Sequence, residues 1–277
     1  MAILFAFCCL AFAAVNDFVF KLFARKERSR GIFVALIGMV WLLLLCWMPW
    51  NKESSVAATI LWGAVSGFFS VTANLLLIEA MGHESAGVCS TIYRLNLVLV
   101  VAGAVLFLGE TLTVIQAVGI LFAILAILAF FPMGQNIHLR TVGFYLVVIA
   151  AVLRAGMGLT YRYGFLHGAD RNGVVAINSV FWIIGGIVYA LRREKRLGMP
   201  NRKMLIYSGL SGLFVAGIVV FMALSLQYGE ASVVLPIAQM SFLGTFGLSI
   251  RFLKERFTGR NLIAVICGVI AVILLTV

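Results

Sequence analysis

Ten apolar runs, each long enough to cross the roughly 30 Å hydrocarbon core of a bilayer as a helix, set the terms on which this chain can fold. They fall near 2–23, 31–48, 56–79, 86–108, 112–131, 142–166, 173–191, 204–227, 231–252 and 260–277. The connections are short and none can fold as a soluble domain, so any function has to lie within the bundle. Of the 277 residues, 63% are hydrophobic and 11% charged, against about half and a quarter in a soluble domain. A water-soluble fold needs a polar exterior that this chain cannot supply. A β-barrel would alternate apolar and polar residues along each strand, and these runs are uninterrupted. Cys8, Cys9, Cys46, Cys89 and Cys267 all lie inside the runs, without a CxxC pair, and read as small buried hydrophobes. Ala11-Phe12-Ala13 resembles a signal-peptidase site. No basic segment precedes it and the run continues to Phe23, so the start reads as a first transmembrane helix.

The net charge of +11 does not indicate nucleic acid, because the basic residues sit in the short connections, where they set orientation. Fourteen Lys and Arg, from Arg25 to Arg260, lie in the connections after the first, third, fifth, seventh and ninth runs, against Lys52 and Arg171 in the others. The positive-inside rule then puts both termini outside.

A shift of 145 residues aligns runs three to five with runs eight to ten without a gap. Ser66-Gly67-x-Phe69 falls on Ser211-Gly212-x-Phe214, Phe107-Leu108-x-Glu110 on Phe252-Leu253-x-Glu255, and Thr113 on Thr258. The chain therefore reads as two related five-helix units, residues 1–137 and 138–277. Because five is odd, the second enters the membrane with opposite polarity. Inverted repeats of this kind occur in many secondary transporters, with the substrate site near mid-membrane between the halves.

The chain also resembles a known family. The stretches that carry the resemblance are Ala86-Gly-Val-Cys-Ser-Thr-Ile, Leu106-Phe-Leu-Gly-Glu-Thr-Leu-Thr and Gln116-Ala-Val-Gly119 in the first half. In the second they are Ala231-Ser-Val-Val-Leu-Pro236-Ile and Phe252-Leu-Lys-Glu-Arg-Phe-Thr258. They are similar to the EamA-type branch of the drug/metabolite transporter superfamily, whose members carry ten helices as two EamA repeats. The resemblance covers nearly the whole chain and implies export of a small solute, without naming it. In the family the fifth and tenth helices resemble a dimerisation or packing element, which leaves a homodimer open. Two departures stand out: the fourth run lacks a proline where the ninth has Pro236, and many family members have cytoplasmic termini.

Glu110 and Glu255 sit where one helix ends and the next begins, and a carboxylate in a first turn satisfies free N–H groups. The pairs Gly119/Ala123 and Ala264/Gly268 let helix backbones approach closely. Structural packing is the preferred reading of both motifs.

Apart from Arg251, which is near a run end and can snorkel, six charges fall inside the runs: Asp17, Lys21, Glu79, Arg94, Arg154 and Arg162. Such residues are expected to face a partner or a wet cavity. The substrate-binding candidates are Arg154, Arg94, Asn178, Trp182, Asn96, Gln239, Asn74 and Tyr161, with structural ion pairing or packing as the alternative for each. Asp17 and Lys21, four apart, are expected to pair. Glu79 and Arg162, near helix ends, are expected to be solvated. Asp17 and Glu79 are the candidates to carry a coupling proton, since burial disfavours the charged form of a carboxyl group. Four positive charges against two negative favour anionic or zwitterionic solutes such as carboxylates, amino acids or phosphorylated sugars.

Two other classes compete. An intramembrane enzyme needs a nucleophile with its base, or metal ligands, but His83, His138 and His167 all fall in connections and no HExxH is present. No catalytic residue, metal site or cofactor is expected. A channel needs a filter, and the inverted repeat favours a carrier. The expectation is an all-α, multi-pass protein of a bacterial inner or plasma membrane, with ten transmembrane helices in two inverted repeats. Its partners would be the lipid bilayer and a small-molecule substrate.

Overall fold

Nearly every connection hands the chain to the next helix through a polar side chain that caps its first turn. Ser29, Ser55, Thr141, Asp170, Asn201 and Thr258 each accept a hydrogen bond from the backbone N–H three residues on, satisfying donors that a helix start leaves free. Thr113 and Gln116 form a reciprocal capping box, with bonds of 3.2 and 3.1 Å.

The computed structural model describes residues 1–23, 29–83, 86–129, 141–195, 200–254 and 258–277. Among these residues the fold is all-helical: α1 (Ala2–Phe23), α2 (Arg30–Leu45), α3 (Val56–Ala80), α4 (Ala86–Arg94), α5 (Asn96–Leu108), α6 (Val114–Ala129), α7 (Val142–Leu166), α8 (Arg171–Tyr189), α9 (Arg202–Tyr228), α10 (Ala231–Gln239), α11 (Ser241–Leu253) and α12 (Gly259–Thr276). A single π-helical turn, Ala190–Glu194, extends α8. Among the described residues, eight helical stretches are long and apolar enough to span a membrane, with α4–α5 and α10–α11 each counted as one; α2 and α6 are apolar but shorter. Large apolar side chains such as Leu43, Ile60, Phe107, Leu121, Ile184 and Ile273 stand on the outer surface, where lipid is the solvent they require.

The runs at 86–108 and 231–252, expected as single helices, are each broken. The breaks fall at Leu95 and Met240, 145 residues apart, and the flanking pieces match to the residue. At both breaks the next turn closes by a tighter bond, Val98 N to Leu95 O at 3.1 Å and Leu243 N to Met240 O at 3.0 Å. Both broken helices end alike. Gly109 and Lys254 take positive φ values of 66° and 53°, and their N–H groups bond Ala104 and Ser249 respectively. Glycine accepts that conformation freely; Lys254 accepts it at a steric cost of roughly 1–2 kcal/mol.

Packing follows the same pairing of halves. α3 packs on α7 as α9 packs on α1, and α3 on α8 as α9 on α2. α5 lies on α7 as α11 lies on α1, while α2–α8 and α6–α12 meet across the centre of the relation. Glycines set the closest approach. A Cβ on Gly186 would lie 2.6 Å from the Gly31 carbonyl and the Ala35 nitrogen. The small residues of α6 and α12 are used inside the chain: a Cβ on Gly119 would meet Leu274 and Leu275 of α12, and one on Gly268 would meet Leu243 of α11.

Glu110 does not cap α6, the helix that follows it. Thr113 already holds that start. The buried Glu110 carboxylate turns instead to α10, accepting from Ala231 N at 2.8 Å, Ser232 N at 2.8 Å and Ser232 Oγ at 2.6 Å. It thereby joins the end of α5 to the start of α10. Arg162 lies alongside, its Nε 3.6 Å from Glu110 Oε1 and its Nη1 donating to Leu226 O at 2.8 Å. Arg162, expected to be solvated, is thus largely withdrawn from solvent. The repeat equivalent of Glu110, Glu255, lies outside the described residues, as does His138.

Candidate functional site

Polar side chains gather at three levels of the bundle. The first is where the helix breaks meet. Arg94, the last residue of α4, donates to the Gln239 carbonyl at 3.0 Å, to Ser241 Oγ at 3.2 Å and to Asp17 Oδ2 at 2.7 Å. Gln239 answers across the same junction, its Nε2 donating to Asn96 Oδ1 at 3.2 Å, while Asn96 Nδ2 donates to Tyr93 O at 2.6 Å. Residue 94 therefore reaches residue 241, and residue 239 reaches residue 96, a reciprocal exchange between repeat-equivalent positions. Side-chain donors that satisfy carbonyls freed from the helix explain why both helices break here without a proline at the break. Asp17 pairs with Arg94, which the break delivers to it; the side chain of its expected partner, Lys21, lies outside the described residues.

The second level is a buried group between α2, α3, α7 and α8. Tyr161 and Asn178 are fully buried, and Asn178 Nδ2 donates to the Tyr161 hydroxyl at 2.9 Å. One turn on, Trp182 Nε1 donates to Ser70 Oγ at 2.8 Å, and its ring meets Trp41 edge-on at 5.8 Å. Two atoms here, Asn178 Oδ1 and Trp41 Nε1, are buried without a hydrogen-bond partner among the described residues. Such orphans are rare and mark a place where another polar group would be welcome. Asn74 lies nearby on α3, its amide donating to the Ser70 carbonyl at 2.8 Å.

Arg154 stands half-buried two turns before Tyr161 on α7. Its guanidinium donates to Met157 Sδ at 3.1 Å. Among the described residues no carboxylate lies within ion-pair distance of it.

The third level lies at one end of the bundle. Arg30, Glu79, Tyr189, Arg193 and Glu194 line a cavity of about 240 Å³. Glu79, expected to be solvated or proton-coupling, accepts from the Tyr189 hydroxyl at 2.7 Å and from Arg193 at 2.6 Å. Glu194 caps α2, accepting from the Ser29 hydroxyl and, at 2.6 Å, from Arg30 N. Tyr189, Trp182 and Asn178 share one face of α8, so a polar stripe of three turns, about 16 Å by helical rise, runs from this cavity to the buried group.

The structure thus gathers the sequence candidates in two places. Arg94, Asp17, Asn96 and Gln239 meet at the breaks; Tyr161 and Asn178 meet in the bundle core, where Trp182 binds Ser70, with Asn74 one turn beyond Ser70 on α3 and Arg154 two turns before Tyr161 on α7. Glu79 belongs to neither. Ser241 escaped sequence reading although it is the repeat equivalent of Asn96, a signal that carrying the 145-residue shift to every polar position would expose. Trp41 carried no signal, being one aromatic in an apolar run. Asn16, buried and accepting from Ser211 Oγ at 2.6 Å, was masked by its charged neighbour Asp17. Among the described residues no group of three His, Cys, Asp or Glu is placed to hold a metal ion.

Comparison with known proteins agrees with this architecture. An uncharacterized protein of Methanocaldococcus jannaschii is 31% identical over 107 residues, covering 36% of this chain and 78% of that protein. One solved crystal structure superimposes with a TM-score of 0.81 at 13% identity, over 99% of this chain and 95% of that one, a likeness of fold alone. The sequence model of the EamA-like transporter family matches twice, over residues 1–131 and 141–277. With its apolar helices and paired architecture, this multi-pass integral membrane protein belongs to the EamA-like transporter family.

Proposed function

We propose that this protein carries small organic anions or zwitterions across the membrane by alternating access, and that Arg154 seats the negative charge of the solute. The observation that carries this reading is the inequality among the intramembrane charges. Arg94 is matched by Asp17, Arg162 by Glu110, and Glu79 by Arg193, whereas Arg154 faces no carboxylate among the described residues. An isolated cation in the apolar region is costly, and a solute carboxylate or phosphate would relieve that cost with charge-assisted hydrogen bonds. Asn178 Oδ1 and Trp41 Nε1 offer an acceptor and a donor to the rest of the solute.

Ten spans in two inverted halves are the arrangement we favour, with α2 and α6 crossing as short helices. Support comes from Glu110, which ties the end of α5 to the start of α10, as expected when equivalent helices run in opposite directions. In such a carrier the polar stripe on α8 is the route between the 240 Å³ end cavity and the buried site. Export is the direction the family favours, and the small residues of α6 and α12 leave their lipid-facing sides for a homodimer contact. The test is flux into reconstituted vesicles loaded with carboxylates, amino acids, sugar phosphates or organic amines. Saturable counterflow of an anionic or zwitterionic class supports the reading; counterflow confined to organic cations overturns it.

A further inference from the structure

The junction of the helix breaks is built twice, once with a charge and once without. At the second position of the pair Gln239, a neutral side chain, donates across to Asn96. At the first, Arg94 donates across to Ser241. Cross-contact alone therefore needs no cation. The charge at residue 94 goes with two acceptors that the other side of the junction does not offer its own donor: the Asp17 carboxylate from α1 and the Gln239 carbonyl, which the break has released from its helix. Carboxylate, carbonyl and hydroxyl converge on one guanidinium, and the Phe242 ring covers it at 5.3 Å. Carboxylates and unwound-helix carbonyls are what transporters use to hold coupling cations, and an aromatic face is a further mark of a cation seat.

We propose that Arg94 is a tethered counter-ion: its guanidinium fills a cation seat formed by the Asp17 carboxylate, the Gln239 carbonyl and the Ser241 hydroxyl. A free guanidinium ion will take that seat when the side chain is removed. The two halves are thus stapled at their breaks by a cation the chain itself supplies, and no dissolved ion is needed there. This inference is independent of the role given to Arg154, and its test reads stability, not flux.

The test compares thermal unfolding of the purified full-length protein with that of Arg94→Gln, Arg94→Ala and the double variant Asp17→Asn/Arg94→Gln. Each is measured in low-millimolar guanidinium chloride and in choline chloride at the same concentration. Both single variants should melt below the wild type, and guanidinium should return at least half of the lost melting temperature where choline does not, since a ligand that binds only the folded state stabilises it. The wild type and the double variant should not respond. Equal effects of guanidinium and choline, or a guanidinium response that survives in the double variant, overturn the proposal. If neither single variant folds but the double variant does, the stranded carboxylate is the fault and the proposal stands. If the double variant also fails to fold, removing the stranded carboxylate charge does not relieve the defect, and the proposal falls.

Discussion

Arg94 lies 145 residues before Gln239, its partner under the internal repeat, and donates to that partner's carbonyl at 3.0 Å. Equivalent positions of the two halves touch each other directly, which places both helix breaks at the relation between the halves. In secondary transporters built from inverted repeats, the interface between the repeats near mid-membrane holds the substrate and ion sites.

Glu110 is the second tie between the halves, and its loss should be severe. Glu110→Ala strands the Ala231 and Ser232 amides and removes the carboxylate beside Arg162. Removing one partner of a buried pair costs about 3–5 kcal/mol. Denaturant or thermal unfolding in detergent should show that loss, and Arg162→Met placed on Glu110→Ala should recover part of it. A loss below about 1 kcal/mol, the scale of a single ordinary hydrogen bond, would contradict the assignment.

Close approach of α2 and α8 rests on Gly186. Gly186→Ala puts a methyl 2.6 Å from the Gly31 carbonyl and the Ala35 nitrogen, and overpacking of that kind costs about 1–3 kcal/mol. Gly209→Ala on α9, where a Cβ meets nothing within 4 Å, should be neutral or stabilise by about 0.5–1 kcal/mol. Melting temperatures of the two variants should move in opposite directions or only the first should fall.

Trp182 and Ser70 should behave as a unit. Trp182→Phe and Ser70→Ala each leave one buried partner of the 2.8 Å bond unsatisfied, at about 1–3 kcal/mol apiece. Their double variant should lose less than the sum, and a double-mutant cycle measures the difference. Strict additivity would show that the bond does not bind α8 to α3.

Helix positions were legible because hydropathy alone decides them in lipid: the runs at 56–79 and 142–166 end within a residue of α3 and α7. The breaks at Leu95 and Met240 were not, since they arise from Arg94 and Asn96 competing for carbonyls, and neither break carries a proline of its own. The tie from Asp17 to Arg94 is not legible locally, since the two lie 77 residues apart. Glu110 was read correctly as a helix cap but assigned to the wrong helix, because its true partner lies 121 residues along the chain. The residues of the buried group, Tyr161, Asn178 and Trp182, stood out because polar atoms in apolar runs demand partners; which partners they find depends on tertiary packing.

Arg154→Leu is the most direct measurement. The wild-type protein and this variant are screened by thermal shift against carboxylates, amino acids, sugar phosphates and amines, alongside Arg154→Lys to separate charge from shape. The variant should fold, because among the described residues no carboxylate pairs with Arg154 and would be stranded. An anionic or zwitterionic class should raise the melting temperature of the wild type and leave Arg154→Leu unmoved. Equal stabilisation of Arg154→Leu by the same solute would contradict the seat assigned to Arg154.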